Sequence, residues 1–290
     1  MRPGVICAGR LYTDLVFTGL GELPRLGAET FASGLAVHPG GGAFITAAHL
    51  SALGRPAALL SYLPPPPFDA AIAADLAEAD IALDMSQRAR PGIDAQVTVA
   101  MAHQSDRAFL TRRCGPAVPD LPQVLTGYKH LHIGELTTLL EAPELVPAAR
   151  TAGMTISADC GSDDALERGG LTPLLSQIDV LLPNADEAEA LIQSGHRLPF
   201  APLTVIKQGA MGAEAVTASH RLSDPAEPAG VVDTTGAGDA FNAGFLNAWL
   251  DNRPLSNCLR DGNLQGALAV SAPGGASMLH QPAKSAAAAR

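Results

Sequence analysis

The chain has 290 residues, 47% of them hydrophobic and 17% charged, which is enough apolar material for one large core or for one core with a small appendage. Its formal net charge of -10, with Lys and Arg scattered, repels polyanions: no nucleic acid is expected as a partner, and at most a local basic pocket for a small anion. Cys7, Cys114, Cys160 and Cys258 form no CxxC pair and no metal-ligand spacing, as expected of buried thiols in a reducing, cytoplasmic compartment. The apolar run before Tyr12 is too short for a signal peptide, and no stretch reaches the roughly 18 apolar residues of a membrane span, so no membrane association is expected.

In chain order, the first buried strand is expected at "VICAG", residues 5–9, followed by an irregular, Gly-rich stretch with short extended pieces over residues 11–39. A second apolar run, "AALLSYL" (57–63), leads through four prolines at 64–67, which stiffen a loop, into the helical pattern "FDAAIAADLAEADI" (68–81). Residues 94–113, "DAQVTVAMAHQSDRAFLTRR", read as two strands around a turn at 103–106. From there short apolar runs alternate with helices: "HLHIGEL" (130–136), "PELVPAARTAG" (143–153), "MTISADC" (154–160), "DVLLPN" (179–184), "ADEAEALIQSG" (185–195) and "LTVIKQGA" (203–210). Both of those helices stop at glycine. The alternation predicts an α/β fold, a mostly parallel sheet flanked by helices on both faces, with residues 11–39 and 92–113 set apart as a small discontinuous β appendage on a single domain. The tail 282–290 is too short for a domain, and there is no internal repeat.

The stretch "DTTGAGDAFNAGF" (233–245) carries the most chemistry. Phe241, Gly244, Phe245, Ala248 and Trp249 recur at helical spacing behind Asp239, so Gly236, Ala237 and Gly238 form a loop that enters a helix. Small residues there let backbone N–H groups approach an anion, and the helix start adds positive potential. An isolated Asp in a first turn would do no more than complement the helix dipole, worth about 0.3 to 1 kcal/mol. Here a donor-rich cradle and an acceptor side chain fall within one turn, the pairing needed to deprotonate a hydroxyl while stabilising a phosphoryl group. The turn is neither a Walker A loop, since no GK[ST] follows, nor GxGxxG, since Phe241 occupies the last glycine position. A dinucleotide-binding dehydrogenase is disfavoured because "VICAGRLYTD" lacks that motif after the first strand.

This motif resembles the C-terminal signature of the PfkB family of carbohydrate kinases, which have the ribokinase-like fold. "PGGGAFITAAHLSALG" (39–54), with glycines ahead of a helix ending at Gly54, is similar to the N-terminal signature, and "LLPNADEAEAL" and "IKQGAMGAEAV" follow in order. The resemblance covers essentially the whole chain and implies an ATP-dependent phosphotransferase in which the β appendage is a lid over a small sugar or sugar-like acceptor. A nucleoside kinase of the same family, or a binding module that has lost catalysis, are the alternatives.

Carried onto this chain, the resemblance makes Asp239 the general base and Gly236, Ala237 and Gly238 the anion hole. Asn184 and Glu187, three apart after a strand, face the same way; alone they would read as a helix cap with a first-turn carboxylate, and the family's NxxE motif implies that they hold Mg²⁺, largely through water. Lys207, Gly209 and Gly212 border the nucleotide, with Lys207 a point charge for phosphates. Asn263 and the loop 272–277, including Gly274, wall the adenine; a plain helix-to-loop reading explains them equally well. That loop and Asp233 imply a monovalent cation such as K⁺. Asp14, Gly40, Gly41 and Glu135 point to the acceptor. Ile45 stands where many relatives carry a sugar-binding Asn, so a polar contact is replaced and acceptor preference cannot be copied from them. The free edges of the lid strands predict a homodimer through the lids.

Overall fold

The computed structural model describes residues 2–90, 92–103, 106–120, 125, 127–161, 171–271, 275, 276 and 279. Two sheets organise them. The larger has eight strands: β1 (Gly4–Ala8), β4 (Ala57–Leu60), β9 (Tyr128–Ile133), β10 (Thr155–Ala158), β11 (Val180–Leu181), β12 (Leu203–Lys207), β13 (Ala213–Val216) and β14 (Arg221–Asp224), in the order β14-β13-β12-β11-β10-β9-β1-β4. The six strands from β12 to β4 are parallel, and β13 and β14 add an antiparallel edge.

Helices cover both faces, which is why the strands read as continuous apolar runs. Along β1 the alternation is visible: Val5 and Cys7 pack toward α1 (Gly42–Ala52) and α2 (Phe68–Glu78), whereas Ile6 and Ala8 pack toward α3 (Leu136–Glu141) and α4 (Leu145–Thr151). The short α5 (Leu171–Leu175) and α6 (Ala185–Gln193) extend the second layer, and α7 (Ala237–Leu250) and α8 (Leu255–Ala269) pair beside α1. Among the described residues no helix is long and apolar enough to cross a membrane.

The smaller sheet has the order β3-β2-β7-β8, from β2 (Tyr12–Thr18), β3 (Gly34–Gly40), β7 (Val97–His103) and β8 (Asp106–Arg112). The stretch expected to be irregular therefore contains two seven-residue strands. Pro39 and the glycines at both ends of β3 weaken its strand signal. A separate two-stranded pair joins β5 (Tyr62–Leu63) to β6 (Gln87–Arg88), so the run 57–63 is broken at Ser61.

One buried polar stripe interrupts the apolar core under α7. His130 and His132 of β9 lie in register with Thr155 and Ser157 of β10. His130 bonds Thr155 Oγ1 through Nδ1 (2.8 Å) and Ser157 Oγ through Nε2 (2.7 Å), and His132 Nδ1 bonds the same Ser157 Oγ (2.9 Å). Trp249 of α7 meets the His130 ring edge-on, with centroids 5.8 Å apart.

Candidate active site

Gly236 is the residue before α7 and adopts φ 70°, a left-handed turn that favours glycine. It aims the start of the helix at the C-terminal edge of the large sheet. No side chain caps this terminus; Ala237 N–H donates a long hydrogen bond to Thr234 O (3.3 Å), and the helix start carries positive potential toward an anion. Asp239 follows in the first turn. Its carbonyl accepts a hydrogen bond from Thr46 Oγ1 of α1 (3.2 Å), and its carboxylate abuts the first residue of α1, where a Cβ on Gly42 would lie 2.7 Å from Oδ1. The carboxylate is thus wedged between the first turns of α1 and α7. Burial, then Asp159, pushes its pKa up to about 7; Lys207 opposes this, and Glu187 and Glu135 add to it.

Lys207, at the end of β12, donates from Nζ to Asp159 Oδ2 (2.7 Å) and to Asn242 Oδ1 (3.3 Å), while Asn242 Nδ2 donates to the same Asp159 oxygen (2.6 Å). The ammonium is almost enclosed. Burial works against its charge, but Asp159, Glu187 and Asp239 outweigh that and raise its pKa. A Cβ on Gly238 would sit 3.3 Å from Nζ, so the cation stands beside the glycine turn.

Asn184 and Glu187 form a reciprocal capping box at the start of α6: Glu187 N–H donates to Asn184 Oδ1 (2.8 Å), and Asn184 N–H donates to Glu187 Oε2 (2.7 Å). Glu187 is buried and its pKa is pushed up to about 7, by burial first and Asp159 second, against Lys207. Asp159, Glu187 and Asp239 face one lysine, an excess of buried negative charge that suits a divalent cation held by few protein oxygens. Among the described residues no group of three or more His, Cys, Asp or Glu side chains is arranged to hold a metal ion on its own.

Beside the turn lies a cavity of about 600 Å³ bordered by Lys207, Gly209, Gly212, Ala237, Gly238, Phe241 and Asn263, with Val231 on its rim at 67% exposure. Asn263 sits in mid α8, not at a helix-to-loop junction. Its Nδ2 holds the far wall by donating to Asp224 O (3.1 Å), Asp224 Oδ2 (2.9 Å) and Pro225 O (3.1 Å). Asp233 Oδ1 accepts from Thr235 N–H and Oγ1 (2.8 and 2.7 Å). Gly274 lies outside the described residues.

On the other side of Asp239, the small sheet presents one face to the large one. Register places Asp14 beside His38 and Thr98 on that face, and Asp14 packs against Gly40. Burial pushes Asp14 up to about 7, opposed by His38 and a hydrogen bond with Thr98. Gly41, φ 99°, caps α1. Glu135 opens α3, its field reaching both Asp239 and Tyr12. Ile45 is buried beneath the turn, with its side chain against Gly236 and Gly275. Asp159, Asn242, Thr46 and Gly42 were not singled out in the sequence. Asp159 had a signal, since it ends "MTISAD" at the same sheet edge as Glu135.

A mostly parallel sheet topped by a small sheet, with a Gly-Ala-Gly-Asp turn opening a helix between them, defines the ribokinase-like class. Solved structures share the fold: a Methanocaldococcus jannaschii nucleoside kinase of the ribokinase family (TM-score 0.80, 20% identity, 95% of this chain and 94% of that one) and an E. coli putative ribokinase II in complex with ATP and Mg²⁺ (TM-score 0.80, 20% identity, 96% of each). The chain belongs to the pfkB family of carbohydrate kinases, whose family model matches residues 6–282. It is 32% identical over 137 residues to the ATP-dependent ribose-1-phosphate kinase of Halopiger xanaduensis, 46% of each chain. Over 85 residues it is 42% identical to the aminoimidazole riboside kinase of Salmonella typhimurium, 27% of this chain and 26% of that one. These alignments span less than half the length of those curated relatives.

Proposed function

We propose that the chain is an ATP-dependent kinase that transfers the γ-phosphoryl group to a hydroxyl of a small sugar or sugar-based acceptor, a nucleoside included. The observation that carries this reading is the placement of Asp239, a carboxylate with its pKa raised to about 7, between the cavity behind the Gly236 turn and the face that bears Asp14. The cavity's apolar rim at Val231 and Phe241 suits a base, and its inner end at Gly238 and Lys207 suits phosphates.

In this mechanism Asp14 and Glu135 orient the acceptor, and Asp239 takes the proton of the attacking hydroxyl as that oxygen bonds to the γ-phosphorus and the bond to the ADP oxygen breaks. The main-chain donors at 236–238 and Lys207 stabilise charge on the moving phosphoryl oxygens. Glu187 and Asn184 would hold Mg²⁺, which would neutralise charge on the phosphates. A monovalent cation at the Asp233 turn completes the reading. Closure of the small sheet keeps water from the phosphoryl group.

The outer face of the small sheet supports a homodimer. Register puts Leu15, Phe17, Leu35, Val99, Met101 and Leu110 on one side with Val37, which packs against the α1–α2 core, and Leu35 is 58% and Leu110 67% exposed. A dimeric mass in light scattering, lost in Leu110→Glu, is expected; a monomeric wild type sinks this part.

The test of function is ATP consumption with Mg²⁺ across a panel of pentoses, hexoses, keto-acid sugars, sugar phosphates and nucleosides, with Asp239→Asn as control. Acceptor-dependent turnover that the substitution abolishes supports the kinase. Acceptors that raise the melting temperature without any turnover replace it with a binding module.

A further inference from the structure

Arg10 lies in the short link between β1 and β2 and is 3% exposed. Its Nη1 donates to Gln96 Oε1 and to Gly115 O, both at 2.9 Å, and its Nη2 donates to both oxygens of Glu141 at 2.7 and 2.5 Å. Glu141 also accepts the Ala117 N–H at 3.1 Å.

These partners occupy particular places in the chain path. The small sheet is connected to the large one by four crossings: residues 9–11 enter β2, residues 40–42 leave β3, residues 95–96 enter β7 and residues 113–117 leave β8. Arg10 is the first, Gln96 is in the third, and Gly115 is in the fourth. The second also meets it, because Gly41 packs directly on the Arg10 carbonyl, where any Cβ would collide. One residue therefore touches all four crossings, while Glu141, at the end of α3, fixes its guanidinium to the large body.

The remaining donor points elsewhere. Nε makes no hydrogen bond among the described residues and lies 3.8 Å from Glu135 Oε1, at the other end of α3 and on the acceptor side. That separation is too long for a hydrogen bond and short enough for a small rotation to make one. A buried arginine with four bonds made and one left out is costly in a fixed structure, and the cost is removed if the missing bond forms in another state.

Building on the kinase reading, we infer that Arg10 is a positioning residue that couples the angle of the small sheet to Glu135. A shift of the crossings that turns the guanidinium against its Glu141 anchor brings Nε to Glu135 Oε1, which already accepts from Thr138 Oγ1 (3.3 Å), so that an acceptor drawing Glu135 toward it favours closure, and closure holds Glu135 for the acceptor. The arrangement explains why four crossings meet at one residue, two of them on its side chain, when that residue does not itself face the reacting groups.

The test uses the full chain with Arg10→Lys, which keeps the charge but not the fork, and Gln96→Leu, which removes one bond on the small-sheet side. Three quantities are read: the acceptor KM, kcat, and ATP hydrolysed per phosphoryl transferred. Loss of coupling is expected to raise the acceptor KM about tenfold with a smaller change in kcat, and to raise wasteful hydrolysis several-fold, because water enters a site that closes less completely. Hydrogen exchange at residues 9–13 and 95–97 is expected to rise in both variants. Unchanged KM, hydrolysis ratio and exchange in both overturn the inference; if Arg10→Lys does not fold, Gln96→Leu decides it. If wild type shows no acceptor-dependent turnover, the kinase reading fails, and exchange at the crossings alone decides whether Arg10 clamps them.

Discussion

Gly42 and Asp239 are in direct apposition: a Cβ on Gly42 would lie 2.7 Å from Asp239 Oδ1 and 2.8 Å from the Gly134 carbonyl. The first contact is with a side chain that can move, the second with backbone that cannot move cheaply. Gly42→Ala is therefore expected to displace the carboxylate and lower kcat about a hundredfold, as misplacements near 1 Å do, while the KM for ATP changes little. Steady-state kinetics check this, and a wild-type kcat would show that the carboxylate position is not critical.

In the proposed reaction Asp239 is the base and sets the pH behaviour. Its folded pKa near 7 exceeds the ordinary 3.8, so the base is disarmed as pH falls through 7, and kcat/KM should show an acid limb there. Asp239→Asn should remove activity by about 10²- to 10⁴-fold. The same shift has a stability sign. The protonated form suits the folded site, so stability is fully present below pH 3.8 and is lost as pH rises through 7. Asp239→Asn should then melt higher than wild type at pH 8 and gain nothing near pH 4, which calorimetry at the two pH values measures. Equal melting temperatures at pH 8 would contradict the buried-charge account.

Lys207 bonds Asp159 and offsets the charge of Glu187 and Asp239. Lys207→Met leaves Asp159, Glu187 and Asp239 unopposed and should cost about 3 to 5 kcal/mol of ligand-free stability, as removal of one partner from a buried pair does. Adding Asp159→Asn should return part of it, so a double-mutant cycle by denaturant unfolding gives a clear coupling energy. Additive losses would mean that the pair is not the source of the cost.

Asn263 holds the far wall of the cavity proposed to take the nucleotide. Asn263→Ala releases Asp224 and Pro225 together, and is expected to raise the KM for ATP about tenfold with the acceptor KM near wild type. A change in the acceptor KM alone would place the residue's influence elsewhere.

Much of this architecture was legible because periodicity carries it. The six parallel strands are buried on both faces and read as unbroken apolar runs, and the Gly-Ala-Gly-Asp turn announces itself by four adjacent residues. Other parts depend on distant partners. In α8, Gly262 and Gly266 dilute the helical signal; Gly262 is there because the Phe241 ring would lie 2.7 Å from a Cβ. Asp159 acquires meaning only when β12 delivers Lys207 and α7 delivers Asn242 to the same oxygen. Asn184 and Glu187 were legible in both of their readings, and the cap that chemistry alone favoured is formed. Arg10 had no signal, since the four crossings it touches are separated by up to about a hundred residues of sequence.

The histidine stripe beneath α7 has one arrangement of hydrogens that leaves none of them buried without an acceptor. Thr155 Oγ1 donates to Lys129 O (3.4 Å), so it receives from His130 Nδ1; Ser157 then gives its hydrogen to His130 Nε2 and receives from His132 Nδ1. Burial holds both rings neutral, pushing His132 down to about 4. Both imidazoles are thereby fixed as the same tautomer, and the His132 Nε2 lone pair has no hydrogen-bond partner among the described residues. The middle of the sheet thus carries a polarity of its own, a row of neutral dipoles in a core where neither ring takes a charge.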